Sequence, residues 1–371
     1  MERVACRVAL RASFRVSIAF LLAPLMLAAQ DTTSLPITIS GYVTTSYTSS
    51  ARAIGDTIIV GRAYDRRNNT FLFNVANLTL ERAAPTDRVA AGFRAEAWLG
   101  PQAALVKSTG LDLGPNADIW QAYVVLNLPM SGKDRYLQLK AGKIAALVGL
   151  EVGQEPLNPN AAVGYQDLLV EPFTETGVEL DARLGPRIDA ELRLSNGWDQ
   201  VVDVNSGKTV TARVGFAPDD KTLLALAGSL GPEQVLNNSS SRAGVDVVVS
   251  RRIVSAANVA LQLDYGHEDV AGSKATWSAA GTWLTYDLAP SASLALRADY
   301  VNDRNGARTS GILGFPANTG MSVRSLTSTL NLKHWAHTLV RPELRFDSAT
   351  LPVFDGSKSQ VSYGVALSYV F

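Results

Sequence analysis

The sequence predicts an all-β protein, a closed antiparallel transmembrane β-barrel of about 16 strands with short periplasmic turns and long extracellular loops. Three observations predict this fold class. Apolar and polar residues alternate in sixteen separate segments, and the connections between these segments are alternately long and short. Beyond residue 29, no apolar run approaches the roughly 20 residues that a membrane-spanning helix needs.

The N-terminal segment has the composition of a secretory signal peptide. Four arginines precede a mostly apolar run over 16–29, which is too short to span a bilayer and ends on Ala28 and Ala29. We therefore expect a signal peptide over 1–29 and a barrel over 30–371, with a retained N-terminal anchor as the alternative. Cys6 is the only cysteine, so the mature chain would contain no disulfide.

The clearest alternation lies in 178–195. Residues 188–195 place one set of side chains on each face, with Ile188, Ala190, Leu192 and Leu194 opposite Asp189, Glu191, Arg193 and Ser195. Only a strand separates two such sets, because a helix would scatter them around its axis. Residues 178–184 follow the same pattern, and the short link 185–187 predicts a hairpin. The remaining predicted strands are 37–47, 71–80, 89–99, 119–128, 136–141, 209–216, 223–228, 245–249, 259–265, 275–288, 294–300, 325–332, 340–346 and 363–371.

The charged residues of these strands suggest which face contacts water. An even number of strands with one end of short turns is typical of bacterial outer-membrane barrels, whose interior is polar. The alternative is a secreted soluble β protein that buries its apolar face. Charges of both signs on the polar face favour the barrel, and the predicted pore-lining residues are Arg94, Glu96, Lys140, Arg183, Asp189, Arg193, Arg213, Asp299, Arg341, Glu343 and Arg345.

Aromatic residues near the strand ends support an outward apolar face. We expect outward aromatic girdles formed by Trp120, Tyr265, Tyr300 and Phe346 at the long-loop end and by Phe216, Tyr369 and Phe371 at the other. The last strand ends on Phe371 and resembles the signal read by the barrel-insertion machinery of the outer membrane. Pro342 lies inside a predicted strand, where it cannot donate a hydrogen bond, so we expect a bulge or a local irregularity there.

The barrel size predicts an aqueous lumen, since sixteen strands enclose more space than side chains fill. The longest connection, roughly 144–174, carries the predicted constriction-loop carboxylates Glu151, Glu155, Asp167 and Glu171. Our hypothesis is that this loop folds into the lumen, faces wall cations, and selects solutes by size and charge. The expected wall cations are Arg94, Lys140, Arg183 and Arg213. The alternative is a loop that caps the outside.

These features predict a bacterial outer-membrane barrel, in contact with lipid, through which small polar solutes or ions diffuse passively. A structural or surface-interaction barrel with a plugged lumen is the alternative. We expect no enzyme, because His267 is the one candidate base and no recognisable serine nucleophile accompanies it. His334 and His337 alone provide too few ligands for a metal site. We expect no cofactor, and the near-neutral charge excludes nucleic-acid binding.

Several segments add a resemblance to a known family. In order, the chain contains GKIAALVGLEVGQEPLNPN from Gly142, EPFTETGV from Glu171, SNGWD from Ser195, GPEQ from Gly231, NDRNGART from Asn302 and LVRPELRFD from Leu339. These segments resemble the recurrent blocks of the OmpL-like outer-membrane β-barrel porin family. The resemblance implies an outer-membrane barrel with pore activity, and it supplies no catalytic residues to carry over. We expect its loop blocks, Asn158–Pro159–Asn160 and Glu171–Pro172–Phe173, to shape loops rather than to bind ligands.

Overall fold

The structure is a computed structural model that describes residues 36–132, 134–270 and 272–371. Sixteen antiparallel strands form one closed barrel, in which each strand pairs with its neighbours in sequence and β1 pairs with β16. The predicted all-β barrel is thereby confirmed. The predicted signal peptide, 1–29, and Cys6 lie outside the described residues. Within the described ranges, no helix combines the length and the apolar character needed to cross a membrane.

Strands of opposite direction alternate around the barrel. The odd-numbered strands run from the short-turn end to the long-loop end: β1 (Thr38–Ser50), β3 (Ala90–Leu99), β5 (Arg135–Ala145), β7 (Ile188–Trp198), β9 (Thr222–Gln234), β11 (Ala257–Val270), β13 (Ala292–Asp303) and β15 (Thr338–Ala349). The even-numbered strands return: β2 (Thr70–Arg82), β4 (Ala117–Pro129), β6 (Thr174–Leu184), β8 (Thr209–Asp219), β10 (Asn237–Val254), β12 (Ser273–Ala289), β14 (Met321–Leu332) and β16 (Ser359–Val370). Every predicted strand overlaps an observed one.

The alternation of side chains follows from the period of two in a strand. In β7, Leu192 is 52% exposed on the outer surface, whereas Arg193 is only 1% exposed and faces the interior. In β15, the charged residues Arg341, Glu343 and Arg345 face inward, and Leu344 and Phe346 face outward. The barrel thus has an apolar outside and a polar inside, as the sequence predicts.

The barrel closes between its first and last strands. Residues from Tyr42 to Ser50 pair with residues from Ser362 to Val370 in antiparallel register. At the end of this seam, the backbones of Gly41 and Phe371 exchange two hydrogen bonds of 3.0 Å each. Closure removes the free edges that a sixteen-stranded open sheet would expose.

The connections differ in length between the two ends of the barrel. One end has short turns such as 185–187 and 220–221, and the other end has long loops such as 51–69, 100–116, 146–173 and 304–320. The connection after the ninth strand is shorter than expected. The predicted strands 223–228 and 245–249 leave 229–244 between them, but β9 and β10 extend beyond these segments and leave only 235–236.

One predicted outward aromatic residue faces inward. Trp120 is 1% exposed and stacks on Trp98 inside the barrel, with ring centroids 4.4 Å apart. The pairing of β3 with β4 shifts register between Glu96 and Ala97, which leaves Trp120 as an extra residue in β4. A bulge of this kind inverts the side-chain parity, so strict alternation places Trp120 on the wrong face. The other predicted girdle residues, Tyr265, Tyr300, Phe346, Phe216, Tyr369 and Phe371, are exposed.

Pro342 causes an interruption of pairing but no bulge. The ladder between β14 and β15 lacks the pairs between Thr329–Glu343 and Leu332–Val340, although the register is the same on both sides. On its other side, Pro342 pairs with Val365 without a shift. The irregularity is therefore confined to one ladder, where proline has no N–H to donate.

Candidate functional site

The connection between β5 and β6, hereafter loop 3 (146–173), lies inside the barrel. It contains a 3₁₀ turn (Glu155–Leu157) and a short helix. A first short helix, α1 (Pro101–Leu105), lies in the loop 100–116, so the helix of loop 3 is α2 (Tyr165–Val170), and all six residues of α2 are buried. Asn158 fixes the first part of the loop, because its side-chain amide accepts the Val152 N–H at 2.8 Å and donates to the Val152 carbonyl at 2.6 Å. Asn158 precedes Pro159 and is extended, which ends the 3₁₀ turn.

Three arginines of the barrel wall hold the backbone of loop 3. Arg297 donates to the Ala162 carbonyl at 2.6 Å, and Arg345 donates to the Val163 carbonyl at 3.0 Å. Arg341 donates to two loop carbonyls, those of residues 155 and 158, at 2.9 and 2.8 Å. A guanidinium group suits this task because its donors point in fixed directions from one plane.

Wall carboxylates bind the amide groups of the same loop. One carboxylate oxygen of Glu343 accepts the N–H groups of Ala161 and Ala162 at 2.9 and 3.0 Å. Asp299 accepts the N–H of Tyr165 at 2.5 Å. Loop 3 therefore lies on β13–β15. We call this part of the barrel wall the covered wall, and its five residues are Arg297, Asp299, Arg341, Glu343 and Arg345.

The four predicted constriction-loop carboxylates are buried in the structure. Glu151 forms an ion pair with Arg297 at 2.7 Å. Burial raises the pKa of the Glu155 carboxyl to about 8, and the nearby positive charge of Arg341 offsets only part of this rise. Burial, reinforced by the Glu151 carboxylate, raises the pKa of Asp167 to about 8. Burial also raises the pKa of Glu171 well above its usual value, with Asp264 as the next cause.

Among the described residues, no ion pair joins these loop carboxylates to the four wall cations named from the sequence. The four cations named from the sequence bind carboxylates of the wall itself, because side chains on one face of neighbouring strands lie within reach of each other. The pairs are Arg94 with Glu81 and Glu96, Lys140 with Glu179 and Asp181, Arg183 with Asp189, and Arg213 with Asp189 and Glu191. The N–O distance is 3.6 Å between Arg183 and Asp189 and 2.5–2.9 Å in the other six pairs.

Exposure divides the predicted pore-lining residues into two groups. Charged side chains on β3, β5, β6, β7 and β8 keep contact with solvent, and we name this group the open wall: Arg94, Lys140, Arg183, Asp189 and Arg213, which are 17–34% exposed. The other predicted residues, Glu96, Arg193, Asp299, Arg341, Glu343 and Arg345, are nearly or fully buried. Arg193 is enclosed by Glu175, at 2.9 Å, and by Glu179.

A cavity of about 280 Å³ separates loop 3 from the opposite side of the barrel. Its wall residues include Gln121, Glu191 and Arg213, and its loop residues include Gln154 and Glu171. The cavity is therefore polar and carries charges of both signs. Water and small solutes have space here, between loop 3 and strands β4, β7 and β8.

Sequence reasoning missed two contributors to this interior. Arg62 of the loop 51–69 is 1% exposed, binds Asp65, and contacts Glu343 at 3.4 Å and Ser362 at 2.9 Å. Trp98 donates its indole N–H to Glu96 at 3.0 Å. Arg62 lies in a segment without alternation, so no periodic signal identifies it. Trp98 falls on the predicted polar face, but we assigned no function to it.

Comparisons with known proteins agree with this geometry. The model of the family described as putative beta-barrel porin-2, OmpL-like, matches residues 36–371. No curated protein matches the chain. The fold is similar to the outer-membrane channel DcaP of Acinetobacter baumannii, with a TM-score of 0.62, 13% identity, and coverage of 93% of this chain and 100% of that one.

Two further solved structures have the same fold. The anion-selective porin from Comamonas acidovorans has a TM-score of 0.61 and 12% identity, covering 91% of this chain and 99% of that one. Salmonella typhi OmpF, in complex with daunomycin, has a TM-score of 0.61 and 10% identity, covering 90% and 97% of the two chains. At these identities the similarity establishes the barrel architecture, and the interior must be interpreted from its own residues.

Proposed function

The chain belongs to the OmpL-like family of β-barrel porins, and we propose that small polar solutes or ions diffuse passively through a water-filled passage beside its loop 3. Membership makes it a porin-like channel of the bacterial outer membrane. Its apolar outer surface, on which residues such as Leu192 and Leu344 are exposed, contacts the membrane lipid. We further propose a route for the solutes and a basis for their selection.

The observation that carries the proposal is the difference between the two walls. Covered-wall arginines such as Arg297 and Arg345 are 0% exposed, whereas the open-wall residues remain in contact with solvent. Charged groups in contact with water are the expected lining of an aqueous pore. We therefore place the passage along the open wall, through the cavity bounded by Gln154, Glu191 and Arg213.

Loop 3 is the proposed constriction. It occupies the side of the lumen next to β13–β15, so solutes must pass between it and the open wall. Arg213 and Glu191 of the wall line the cavity together with Gln154 of loop 3. Fixed charges of both signs along a narrow passage produce a local field that selects solutes by charge as well as by size.

The test is the ion preference of Arg213→Gln in planar bilayers. Loss of this cation removes the partner of Glu191 and one of the two partners of Asp189, so the reversal potential in a tenfold salt gradient should shift toward cations. We expect a fraction of the about 59 mV that a fully selective pore would produce. Arg187→Gln, in the exposed turn 185–187, is the matched control and should leave the potential unchanged.

Liposome swelling distinguishes this proposal from the plugged, surface-interaction barrel. Vesicles that contain the purified protein should swell in isotonic solutions of small sugars or amino acids, at a rate that falls with solute size. A plugged barrel would give the rate of protein-free vesicles, and that result would contradict the channel.

We also propose that the barrel has no enzymatic role. The candidate base His267 shares the outward parity of Leu263 and Tyr265, while Glu268 points inward, so the two do not form an acid–base pair on one face. His337 lies in a turn, where its Nδ1 is 2.9 Å from the Val370 carbonyl oxygen. Phospholipase or protease activity that His267→Ala abolishes would contradict this view.

Two further proposals concern export and assembly. The signal peptide over 1–29 stays a prediction, which N-terminal sequencing of the protein from outer membranes would check. We propose that the last strand, ending on Phe371, is recognised by the insertion machinery. Removal of Phe371 should lower the amount of barrel in outer membranes severalfold, measured by heat-dependent gel mobility, whereas Tyr363→Phe, in β16 and exposed on the same outer surface, should not.

A further inference from the structure

Three carboxylates from distant parts of the chain meet at one side of loop 3. Glu171 lies at the C-terminal end of the loop, Asp246 on β10 and Asp264 on β11. Each offers one oxygen to a group in which all three oxygens lie within 4.8 Å of one another. Glu171 and Asp246 are 4% and 3% exposed. Three negative groups at this separation repel strongly in a poorly solvated interior.

The surrounding residues reduce this repulsion only partly. Within the described residues, the hydrogen bonds that the cluster accepts come from amide groups, and the cation that acts on Asp246, Arg213, is paired with Asp189 and Glu191. Gln262 donates to Glu171 and lies 3.3 Å from Asp264, and Gln166 donates to Asp264. An amide carries no net charge, so it cannot replace a counter-ion. The cluster therefore contains more negative charge than its partners neutralise whenever the carboxylates are ionised.

Gln166 is a separate observation that points to a ligand. It belongs to α2, is 1% exposed, and its amide group contacts Asp264, yet its oxygen Oε1 has no hydrogen-bond partner among the described residues. The oxygen and nitrogen of a side-chain amide exchange places by a half turn, so this group can direct its oxygen into the cluster. One oxygen of Asp246, Oδ2, is likewise buried without a partner.

Two glycines make room for these head groups. A Cβ atom at residue 149, where φ is +93°, would lie 2.0 Å from a carboxylate oxygen of Glu171. A Cβ atom at residue 281 would lie 2.1 Å from the side-chain oxygen of Gln166. Gly149 and Glu171 also line the 280 Å³ cavity, which gives an ion a path from the lumen and space for its water ligands.

We propose that Glu171, Asp246 and Asp264, with the side-chain oxygen of Gln166, form a binding site for Ca²⁺. Carboxylate and amide oxygens are the ligands of a hard cation. Ca²⁺ binds oxygen at about 2.3–2.6 Å, so ligands on opposite sides of the ion are about 4.8 Å apart. The observed separations fit this ion, whereas Mg²⁺ requires a smaller octahedral arrangement.

The bound ion would join loop 3 to the wall on a second side. Glu171 belongs to the loop, and the other two carboxylates belong to β10 and β11, so one Ca²⁺ would connect all three. It would also reduce the negative charge beside the cavity. Any effect on ion flow depends on the proposed channel, but the binding itself does not.

Isothermal titration of the purified, chelator-treated full-length protein in detergent tests the site. We expect saturable binding of one Ca²⁺ per chain, with weaker binding of Mg²⁺. Binding should release protons, seen as heat that depends on the buffer, because part of the cluster is protonated before the ion enters. No saturation up to about 10 mM Ca²⁺, beyond even weak extracellular sites, would overturn the proposal.

Variants of the cluster carboxylates test whether Ca²⁺ binds at this site. Asp246→Asn and Asp264→Asn should each lower the affinity at least tenfold. Asp112→Asn removes an exposed carboxylate that pairs with Lys107 in the loop 100–116, and it should leave the affinity unchanged. Heat-dependent gel mobility verifies that each variant is folded, and if one Asn variant fails to fold, the other decides. Equal affinity in a folded cluster variant and the wild type would also overturn the site. Flux is not measured, so a negative result leaves the channel proposal intact.

Discussion

Arg297, Arg341 and Arg345 occupy positions where an unpaired charge would be costly. Each is almost completely buried, and each donates to backbone carbonyl groups of loop 3 as well as to side chains of the wall. Removal of a charge from water is tolerated when most of its donors are satisfied, and of these three residues only Arg297 has a donor, its Nε, without a hydrogen-bond partner among the described residues. These residues therefore fix the loop, whereas the arginines of the open wall keep contact with solvent.

Glu155 is the residue whose titration should be visible in stability. Its folded-state pKa, about 8, lies above the ordinary value of a glutamate, because the carboxyl is buried. Between these two pH values the folded protein binds more protons than the unfolded chain, so the free energy of unfolding falls as pH rises toward about 8. Glu155→Gln removes this pH-dependent fall in the free energy of unfolding. The variant should therefore be about 2–5 kcal/mol more stable than the wild type at pH 9.

Urea unfolding in lipid vesicles at pH 5 and pH 9 measures the effect of Glu155→Gln. Glu81→Gln is the control, since Glu81 is 40% exposed at its ion pair with Arg94. The control should show no comparable gain at pH 9. A Glu155→Gln variant whose advantage over the wild type is the same at both pH values would contradict the assignment.

At the scale of elements, loop 3 and the strands β13–β15 behave as one unit. The alternation of β15 places Arg341, Glu343 and Arg345 on one face, spaced two residues apart, and these three contact five loop residues between 155 and 163. A regular strand thus provides the fixed spacing, and an irregular loop adapts to it. This explains how a long loop without extended secondary structure has a defined path.

Deletion of 154–166 tests the role of this unit in conduction. The deletion removes the part of loop 3 that lies on the covered wall, so single-channel conductance should increase severalfold. It also deprives Arg297, Arg341 and Arg345 of their carbonyl acceptors, and the pore should become more selective for anions. Planar-bilayer recordings measure both properties.

A deletion outside the lumen provides the comparison for loop 3. Residues 111–114 belong to the exposed part of the loop 100–116, and their removal should leave conductance and ion preference close to the wild type. If deletion of 154–166 also left both properties unchanged, the passage would not run beside loop 3.

For the whole molecule, closure depends on a tight contact at the seam between β1 and its neighbours. Gly41 exchanges two hydrogen bonds with Phe371, and a Cβ at this position would lie 2.2 Å from the Asn77 carbonyl oxygen and 2.9 Å from the Phe371 ring. No side chain fits without a shift of backbone. A closed barrel transmits such a shift to both adjacent strands.

Gly41→Ala should therefore lower the free energy of unfolding by about 1–3 kcal/mol, the usual cost of overpacking. Urea unfolding in vesicles measures this difference. Gly244→Ala is the matched control, because the nearest atom to its added Cβ would be 3.7 Å away. Equal stability of the two variants would show that the seam tolerates a side chain.

The sequence alone determined the features that depend on neighbours along the chain. Period-two alternation identified all sixteen strands and the two faces of residues such as Leu192 and Arg193, because successive side chains of a strand point in opposite directions. It also identified the longest loop. Trp120 was assigned to the wrong face, since a bulge depends on the partner strand rather than on the chain itself.

Only the tertiary structure decided which residues meet across the lumen. The sequence indicated which charges face inward, but it did not show that Glu151 pairs with Arg297, that Arg213 stays at the open wall, or that Glu171 meets Asp246 and Asp264. Barrel closure brings together groups that lie far apart in the chain, and the path of loop 3 depends on all of those contacts at once. Local periodicity contains no information about such distances.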